Sequence, residues 1–268
     1  MTTAHSVAPA AAAAHSVALE IAVTSSAGAV VARDGGADRV ELCVGLELGG
    51  LTPSQGLVEA AVATGIPVHA LVRCRPGGFV YDADEVELMD RELGAVVRSG
   101  VAGVVVGALG ADGSLDLDVL RRFVGTARAL RDDVEVTLHR AIDHAADPVA
   151  AVALLADLGF TRVLTSGAAP TALTGAATIA RMVSAAGPVQ VMAGAGVIPA
   201  DVPALVATGA AAVHLSAKRP AADSAHAGVP MGGADDGSAH FVTDSDVVRA
   251  ARAALSASPP PRPGTTAA

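Results

Sequence analysis

The residues that follow the stretch 134–138 could do chemistry together. This stretch alternates between apolar and polar side chains, a period of two that predicts a β-strand. His139, Arg140 and Asp143 come next, so an imidazole, a fixed positive charge and a carboxylate gather where the strand would end. Polar groups that face a protein interior are costly unless they are paired. The group is therefore either a satisfied structural network on a barrel strand or the centre of an active site.

Other predicted strands also end in polar side chains, and this repetition favours an active site. One buried pair could be structural, but acidic, basic and imidazole groups at several strand ends are typical of a site. The arginines could hold a carboxylate ionised and orient an anionic ligand through paired hydrogen bonds. The residues are Glu20 on the first strand, Glu41 and Cys43 on the second, Arg73, Cys74 and Arg75 at the end of the third, Thr165 and Ser166 on the sixth, and His214 and Ser216 on the eighth.

A repeated unit predicts the fold that would bring these strand ends together. A helical segment rich in Ala, Val and Leu ends at a glycine, and a short apolar strand begins a few residues later. Strands that alternate with helices imply right-handed crossovers and a parallel sheet. Eight such units predict a single-domain α/β fold, the (β/α)8 TIM barrel; a doubly wound open sheet is the alternative, but no Gly-x-Gly-x-x-Gly loop follows the first strand. The predicted strands are 19–23, 39–43, 68–73, 103–106, 134–139, 162–166, 190–193 and 212–216.

The loop after the seventh strand, with Gly194 and Gly196, is a candidate for binding phosphate. Bare glycines let backbone N–H groups approach a ligand closely, and in many barrels the loops after strands seven and eight hold a phosphate. Lys218 and Arg219 follow the eighth strand and add positive charge. A tight turn that needs small residues explains the glycines nearly as well, so both interpretations stay open.

Two further loops carry candidate residues. Phe79 and Tyr81 lie on a glycine-containing loop after the third strand, where they could form a lid over a ligand or pack beneath the loop. The long loop 220–242 is rich in Gly and Ala, and we expect its His226 and His240 to be solvated.

The composition excludes several classes of protein. The chain has 268 residues, of which 51% are hydrophobic, and a net charge of -9, which argues against nucleic-acid binding. No apolar run approaches the ~20 residues of a membrane span, so we expect no membrane partner. Cys43 and Cys74 are too few for a disulfide framework and predict reduced thiols in a cytoplasmic protein. We expect a disordered Ala-rich leader at 1–17, the barrel at 18–257 and a disordered Pro-rich tail at 258–268.

Five motifs in order carry a resemblance to a known family. They are residues 35–43 (GGADRVELC), 47–54 (ELGGLTPS), 137–143 (TLHRAID), 162–167 (RVLTSG) and 192–197 (MAGAGV). Together they closely resemble the copper homeostasis protein CutC family, from about Ala18 to about Leu255. The resemblance implies a cytosolic (β/α)8 barrel, commonly a homo-oligomer, that is linked to copper tolerance and proposed to bind Cu(I).

One departure from the family bears on copper. Where copper ligation has been proposed, one cysteine ends the Val-Glu-Leu-Cys segment, here Cys43, and another lies in the first strand, where this chain has Ala22. Because Cu(I) favours soft thiolates, this loss weakens the case for a tight site. Cys74 could substitute only if the chain turns after Arg73, and Met192 is another soft donor, which we expect in the core.

Two functional hypotheses follow. The first is a copper-handling protein that binds Cu(I) at Cys43, with Cys74 as a possible partner. The second is a barrel enzyme that acts on a small anionic metabolite, either phosphorylated or not. An inert scaffold is disfavoured by the number of inward-facing charges. In the enzyme, Arg73 and Arg75 would clamp the anion, Gly194 and Gly196 would cradle a phosphate, Glu41 or His139 would act as general base or acid, and Asp143 would orient His139 or Arg140.

Overall fold

Eight parallel strands close into a barrel. The structure is a computed structural model that describes residues 17–221 and 240–258. Each strand pairs with its neighbour in sequence, and β8 pairs with β1 to complete the ring. The predicted TIM barrel is therefore confirmed, and the open doubly wound sheet is excluded. The strands are β1 (Ala18–Val23), β2 (Arg39–Leu42), β3 (Val68–Leu71), β4 (Gly103–Val106), β5 (Glu135–Leu138), β6 (Arg162–Thr165), β7 (Gln190–Gly194) and β8 (Ala212–Leu215).

A ring of helices covers the outside of the barrel. Polar side chains begin several of them by accepting hydrogen bonds from free backbone N–H groups, as Ser54 does for α2 and Asp82 for α3. Within the described residues, no helix is both long and apolar enough to span a bilayer. The helices are α1 (Ser26–Asp34), α2 (Gln55–Val62), α3 (Ala83–Arg98), α4 (Leu117–Leu130), α5 (Pro148–Val152), α6 (Ala176–Ala185), α7 (Val202–Val206) and α8 (Ser245–Ala257), with short 3-10 helices at Leu46–Leu48, Arg140–His144 and Pro199–Asp201.

The glycines predicted to end the helical segments have the backbone conformation that this role needs. All adopt positive φ angles, which a residue with a Cβ reaches only at a cost. The chain can therefore turn sharply from helix to strand at each of these positions, and the repeated unit closes. The glycines are Gly36, Gly65, Gly100, Gly159, Gly187 and Gly209.

Strand alternation separates an apolar outer core from a polar interior. On β5, Val136 and Leu138 are fully buried in the large apolar cluster between strands and helices, whereas Thr137 and His139 point into the barrel. Most (β/α)8 barrels fill the interior with branched apolar side chains. Here the interior contains two small apolar clusters and many ionisable groups. The buried polar side chains on the inward faces are Glu20, Arg39, Glu41, His69, Arg73, Thr137, His139 and Arg162.

The region after β8 differs from its prediction as one long loop. Two short antiparallel strands, β9 (Lys218–Pro220) and β10 (Phe241–Thr243), pair there and lead into α8. Their short length and the absence of periodicity hid them in the sequence. His240 is exposed beside this pair, as expected, whereas His226 lies outside the described residues. The predicted leader and tail likewise fall almost entirely outside them.

Candidate functional site

A cavity of about 530 Å³ opens at the carboxyl ends of the strands, the end at which (β/α)8 barrels carry out their chemistry. Residues from distant parts of the sequence meet there because every strand ends at this rim. Phe79 and Lys218 also line the cavity. The predicted site residues that line it are Glu41, Arg73, His139, Arg140, Gly196, His214 and Ser216.

Two carboxylates flank the imidazole of His214 on one side of the cavity. Its Nδ1 lies 2.8 Å from Oε1 of Glu20, and its Nε2 lies 3.4 Å from Oε2 of Glu41. Glu20 also accepts a hydrogen bond from Nε of Arg39. Glu20 lies on β1, which pairs with β2 on one side and β8 on the other, and the register sets Glu20 opposite both Arg39 and His214. Since an ionised carboxylate only accepts, the Nδ1 of His214 donates to Glu20 and Nε2 is left to face Glu41.

The environment separates the pKa values of these groups. Burial alone would raise the pKa of Glu20, but Arg39 and His214 outweigh it and leave the pKa below its usual range. Burial raises the pKa of Glu41 to about 7, and His214 offsets only part of this effect. Burial would lower the pKa of His214, but the hydrogen bond to Glu20 and the charge of Glu41 raise it above its usual value. The network therefore contains a carboxyl group that exchanges protons near neutral pH.

His139 lies on the other side of the cavity with one unused hydrogen-bond donor. Its Nδ1 accepts a hydrogen bond of 3.0 Å from the backbone N–H of Ala141, at the start of the 3-10 helix. Burial, helped by the charge of Arg73, lowers the pKa of His139 to about 3. The ring is thus neutral and carries its proton on Nε2. This nitrogen is buried and has no hydrogen-bond partner among the described residues.

Gly107 and Phe79 both lie close to the His139 ring. A Cβ on residue 107 would lie 2.4 Å from Cε1 of His139, so only glycine leaves room for the imidazole there. The Phe79 ring lies 4.9 Å from the imidazole, centroid to centroid. Sequence reasoning missed Gly107, although a glycine directly after β4 and beside the strand that ends in His139 was the available signal.

Arg73 organises the neighbouring loops. Its Nη1 donates to the carbonyl oxygens of Leu48 and Gly50 at 3.1 and 3.0 Å, and its Nη2 donates to that of Gly77 at 2.7 Å. These bonds use both N–H groups of Nη1 and one of Nη2, so the two terminal nitrogens cannot grip a ligand end-on as a pair. Its side chain is nevertheless buried and lines the cavity, and no carboxylate of the described residues lies within 4 Å of it.

Arg75 lies away from the cavity. Its guanidinium pairs with Glu85, donates to the carbonyl oxygens of Gly78 and Val80, and stacks over Tyr81. Every part of the guanidinium is therefore used by the outer loop, and the two arginines of the predicted clamp do not converge.

Asp143 gathers Arg140, Thr165 and Ser166 behind the cavity wall. It accepts hydrogen bonds from Nε of Arg140 at 2.8 Å, from the hydroxyls of Thr165 and Ser166 at 2.5 and 2.9 Å, and from backbone N–H groups. Asp143 thus orients Arg140, as one prediction had it, and does not contact His139. Thr165 and Ser166 serve this network and do not line the cavity.

The glycines after β7 have separate roles. A Cβ on Gly194 would lie 2.6 Å from Leu164, so this glycine makes room for packing inside the barrel. Gly196 lines the cavity and has a positive φ of 61°. Ala195 between them has φ 101°, which is strained for a residue with a Cβ. Backbone at this rim is therefore held in an unusual conformation beside the cavity.

The soft sulfur donors do not meet. Cys43 lies in an interior cluster with Leu71 and Val105, whereas Cys74 packs against the large outer core. Met192 is fully buried in a third cluster, where its Sδ accepts a hydrogen bond of 3.2 Å from Arg39. Burial and the charge of nearby carboxylates raise the pKa of the Cys43 thiol well above its ordinary value. These positions do not fit a thiolate site for Cu(I).

The carboxylates and the imidazole fit a metal better. Glu20, Glu41 and His214 each offer a ligand atom within 4.8 Å of the others, and within residues 17–221 and 240–258 they form the one such group of His, Cys, Asp or Glu. Oxygen and imidazole nitrogen donors suit divalent ions such as Cu²⁺ and Zn²⁺, whereas Cu⁺ prefers sulfur. Without a metal, the same groups could transfer protons.

Comparison with known proteins agrees with the sequence motifs. The model of the CutC family matches residues 17–219. A family protein CutC of Xanthomonas campestris pv. campestris (strain 8004) is 48% identical over 215 residues, which cover 79% of this chain and 88% of that protein. One from Caulobacter vibrioides (strain NA1000 / CB15N) is 46% identical over 205 residues, which cover 76% and 82%.

A solved structure leads to the same family. The crystal structure of the putative copper homeostasis protein CutC from Streptococcus agalactiae has a TM-score of 0.68 and 25% sequence identity, and it covers 75% of this chain and 98% of that one. The resemblance noted in the motifs is confirmed: the chain belongs to the CutC family.

Proposed function

We propose that the protein acts in copper homeostasis by binding a copper ion at the barrel mouth, through Nε2 of His214 and a carboxylate oxygen of Glu41. The observation that carries this proposal is the arrangement of His214, whose Nδ1–H is held by Glu20 while Nε2 faces Glu41 and the cavity. Histidines that bind metals almost always donate their other ring N–H to a carboxylate or carbonyl. Glu20 accepts that hydrogen bond here, or it could itself be a third ligand of the metal.

The donor atoms favour Cu²⁺ over Cu⁺. Among divalent first-row ions, Cu²⁺ binds nitrogen and oxygen donors most tightly. Cys43, the thiol expected from the family resemblance, is buried with a raised pKa, and neither Cys74 nor Met192 shares its cluster. Burial raises the pKa of Glu41 to about 7, so this carboxyl must lose a proton before it binds a metal; the raised pKa of His214 acts in the same direction, and affinity will therefore rise with pH.

Copper titrations on matched variants test this proposal. We expect one Cu²⁺ per chain in the wild type and at least ~10-fold weaker binding in His214→Asn, because a lost ligand or its support typically costs that much. Asn keeps a donor for Glu20 but removes Nε2. Cys43→Ser is the matched control and should bind like the wild type. Tight anaerobic Cu⁺ binding that is lost in Cys43→Ser and kept in His214→Asn would replace this site with a thiolate site.

A second candidate function is an enzyme that acts on a small anionic metabolite. The cavity of about 530 Å³ is far larger than one ion needs and is in the range of small-molecule sites. His214 and Glu41 lie close enough to act as an acid and base pair. A screen of small carboxylates and phosphorylated metabolites should reveal a reaction that Glu41→Gln abolishes. The expected homo-oligomer and cytoplasmic location stay predictions.

A further inference from the structure

We infer that the half of the cavity formed by the ends of β3, β4 and β5 is a binding site for one oxygen of a small oxyanion, a carboxylic or phosphoric acid. The Nε2–H of His139 would donate to this oxygen, and Arg73 would supply the opposite charge. This inference deepens the second candidate function, since it rests on an anion occupying the mouth, and it requires no metal. It names a subsite separate from Glu41 and His214.

The first argument is the unused donor on His139. The hydrogen bond from Ala141 occupies Nδ1, so the proton of the neutral ring must lie on Nε2. A buried N–H group without an acceptor is destabilising, and folded proteins rarely leave one unpaired. His139 is only 5% exposed, Gly107 and Phe79 both lie close to its ring, and the Ala141 N–H holds its Nδ1. Water has almost no access to Nε2 in this structure, and His139 lines the cavity, so we assign the missing acceptor to a ligand oxygen that reaches Nε2 after a small shift of the ring or of Phe79.

The second argument is the unpaired charge of Arg73. Its three hydrogen bonds go to neutral carbonyl oxygens, and the described part of the chain places no carboxylate within 4 Å. Buried charges are normally paired. The guanidinium of Arg73 lies 5.2 Å from the centre of the Phe79 ring, and the same ring lies 4.9 Å from the His139 ring at a tilt of 45°, so both groups border one region of the cavity. An anion in that region would accept the hydrogen bond of His139 and balance the charge of Arg73.

The balance of charge around the mouth selects an anion over a neutral ligand. Arg73, Arg140 and Lys218 line the cavity with positive charge, whereas Glu41 is the one acidic residue on its described wall. Asp143 neutralises Arg140 from behind, but Arg73 and Lys218 have no such partner among the described residues. The Nε of Arg73 also lacks a hydrogen-bond partner. Its neighbour Tyr81 does not line the cavity, so we do not assign Nε to the ligand. Arg73 contributes its charge only.

Two substitutions of His139 separate the proposed role from a structural one. Asn places its oxygen near the position of Nδ1 and can still cap the Ala141 N–H, but it removes the donor at Nε2. Gln can place an amide N–H near Nε2, but it gives up the cap. A ligand-binding role predicts lost binding in His139→Asn and retained binding in His139→Gln. A purely structural role predicts that His139→Gln, which loses the cap on Ala141, lowers the free energy of unfolding more than His139→Asn does.

The experiment is a titration of metal-free, ¹⁵N-histidine-labelled protein with sodium phosphate and, separately, sodium oxalate, at constant ionic strength. Proton–nitrogen spectra of the imidazoles report the tautomer and the Nε2–H signal of His139, which is identified by its absence in His139→Asn. We expect a saturable shift of that signal for at least one probe, ~10-fold weaker binding in His139→Asn as measured by calorimetry, and near-wild-type binding in His139→Gln. The probe that binds more tightly distinguishes phosphates from carboxylates.

Two results would overturn the inference: no saturable shift of His139 with either probe, or equal affinity in the wild type and His139→Asn. Because these titrations contain no copper, their failure leaves the metal proposal intact. Failure of the copper titrations on His214→Asn and Cys43→Ser would in turn leave this subsite untouched.

Discussion

The two ends of the barrel have cavities of similar size but differ in whether the charges around them are paired. The cavity at the amino-terminal ends of the strands measures about 490 Å³, against about 530 Å³ at the carboxyl-terminal mouth. At the amino-terminal end, each acidic side chain and each arginine of the lining lies within 4 Å of an opposite charge, and His69, which burial keeps neutral by lowering its pKa to about 4, lies 3.4 Å from Glu135. The charged pairs are Asp38 with Arg252, Arg39 with Glu20, Glu135 with Arg162, and Arg131 with Asp133.

At the mouth, by contrast, donors and charges are left over. His139 has an unused N–H, and Arg73 and Lys218 have no carboxylate partner among the described residues. Cavity volume alone therefore does not distinguish the two ends. What differs is charge pairing: the charges at the amino-terminal end have partners and stabilise the fold, whereas Arg73 and Lys218 at the mouth have none among the described residues and mark it as the candidate site.

The largest effect on stability should come from removing a charged group at the amino-terminal end, where the charges are paired. Arg162 donates to Glu135 at 2.9 Å, to Gln190 at 3.0 and 3.1 Å, and to Thr137 at 3.3 Å. We expect Arg162→Leu to lower the free energy of unfolding by about 3 kcal/mol or more, because it leaves buried and half-buried partners unpaired. Urea denaturation measures this loss.

Phosphate binding at the mouth should survive Arg162→Leu under conditions where the variant is folded. The control is Arg122→Leu on the surface, which breaks contacts with Glu87 and Asp90 and should change the denaturation midpoint little. Loss of mouth binding in Arg162→Leu would mean that the two ends act as one network, and the contrast between them would be wrong.

The sequence predicted the barrel well because its signals are local and repeated. The helix-ending glycines, the alternation on strands such as residues 134–139 and the polar strand ends each depend on neighbours in the chain. Alternation also placed Glu41 and His139 inside the barrel, as found. The short strands β9 and β10 were missed because two stretches of three residues carry no periodicity.

The site was predicted in part, because the use of each polar group depends on distant partners. Arg73 and Arg75 are identical in type and nearly adjacent, yet one borders the cavity and the other pairs with Glu85 on the outside. Nothing local distinguishes them. His69 was overlooked although alternation on β3 would have placed it inward, and its partner Glu135 lies on another strand.

An intermediate effect should appear in the pH dependence of stability. The pKa of His139 is lowered by burial from 6.5 to about 3, so between these values the unfolded chain holds a proton that the folded chain does not. Stability is present above pH 6.5 and is lost as the pH falls. This residue should account for about 2 kcal/mol of lost stability between about pH 6.5 and about pH 5, since each pH unit is worth about 1.4 kcal/mol.

Comparing the wild type with His139→Asn isolates this contribution, because the variant keeps the cap on Ala141 but cannot take up the proton. We expect the unfolding free energy of the variant to fall less steeply over the same pH range. Parallel curves would mean that His139 is already solvated or charged in the folded protein, and the unused neutral donor at the mouth would have to be abandoned.

The smallest effect should come from Arg75, and it sharpens the comparison between adjacent arginines. Arg75→Gln removes a guanidinium that Glu85, three carbonyl oxygens and the Tyr81 ring already share outside the cavity. We expect phosphate affinity, measured by calorimetry, to be unchanged, with only a small shift in melting temperature. Arg73→Gln, the matched variant, should lose phosphate binding because it removes the unpaired charge that faces the ligand. Equal losses in both variants would mean that the anion spans the outer loop, and the clamp first predicted from the sequence would be the better description of the mouth.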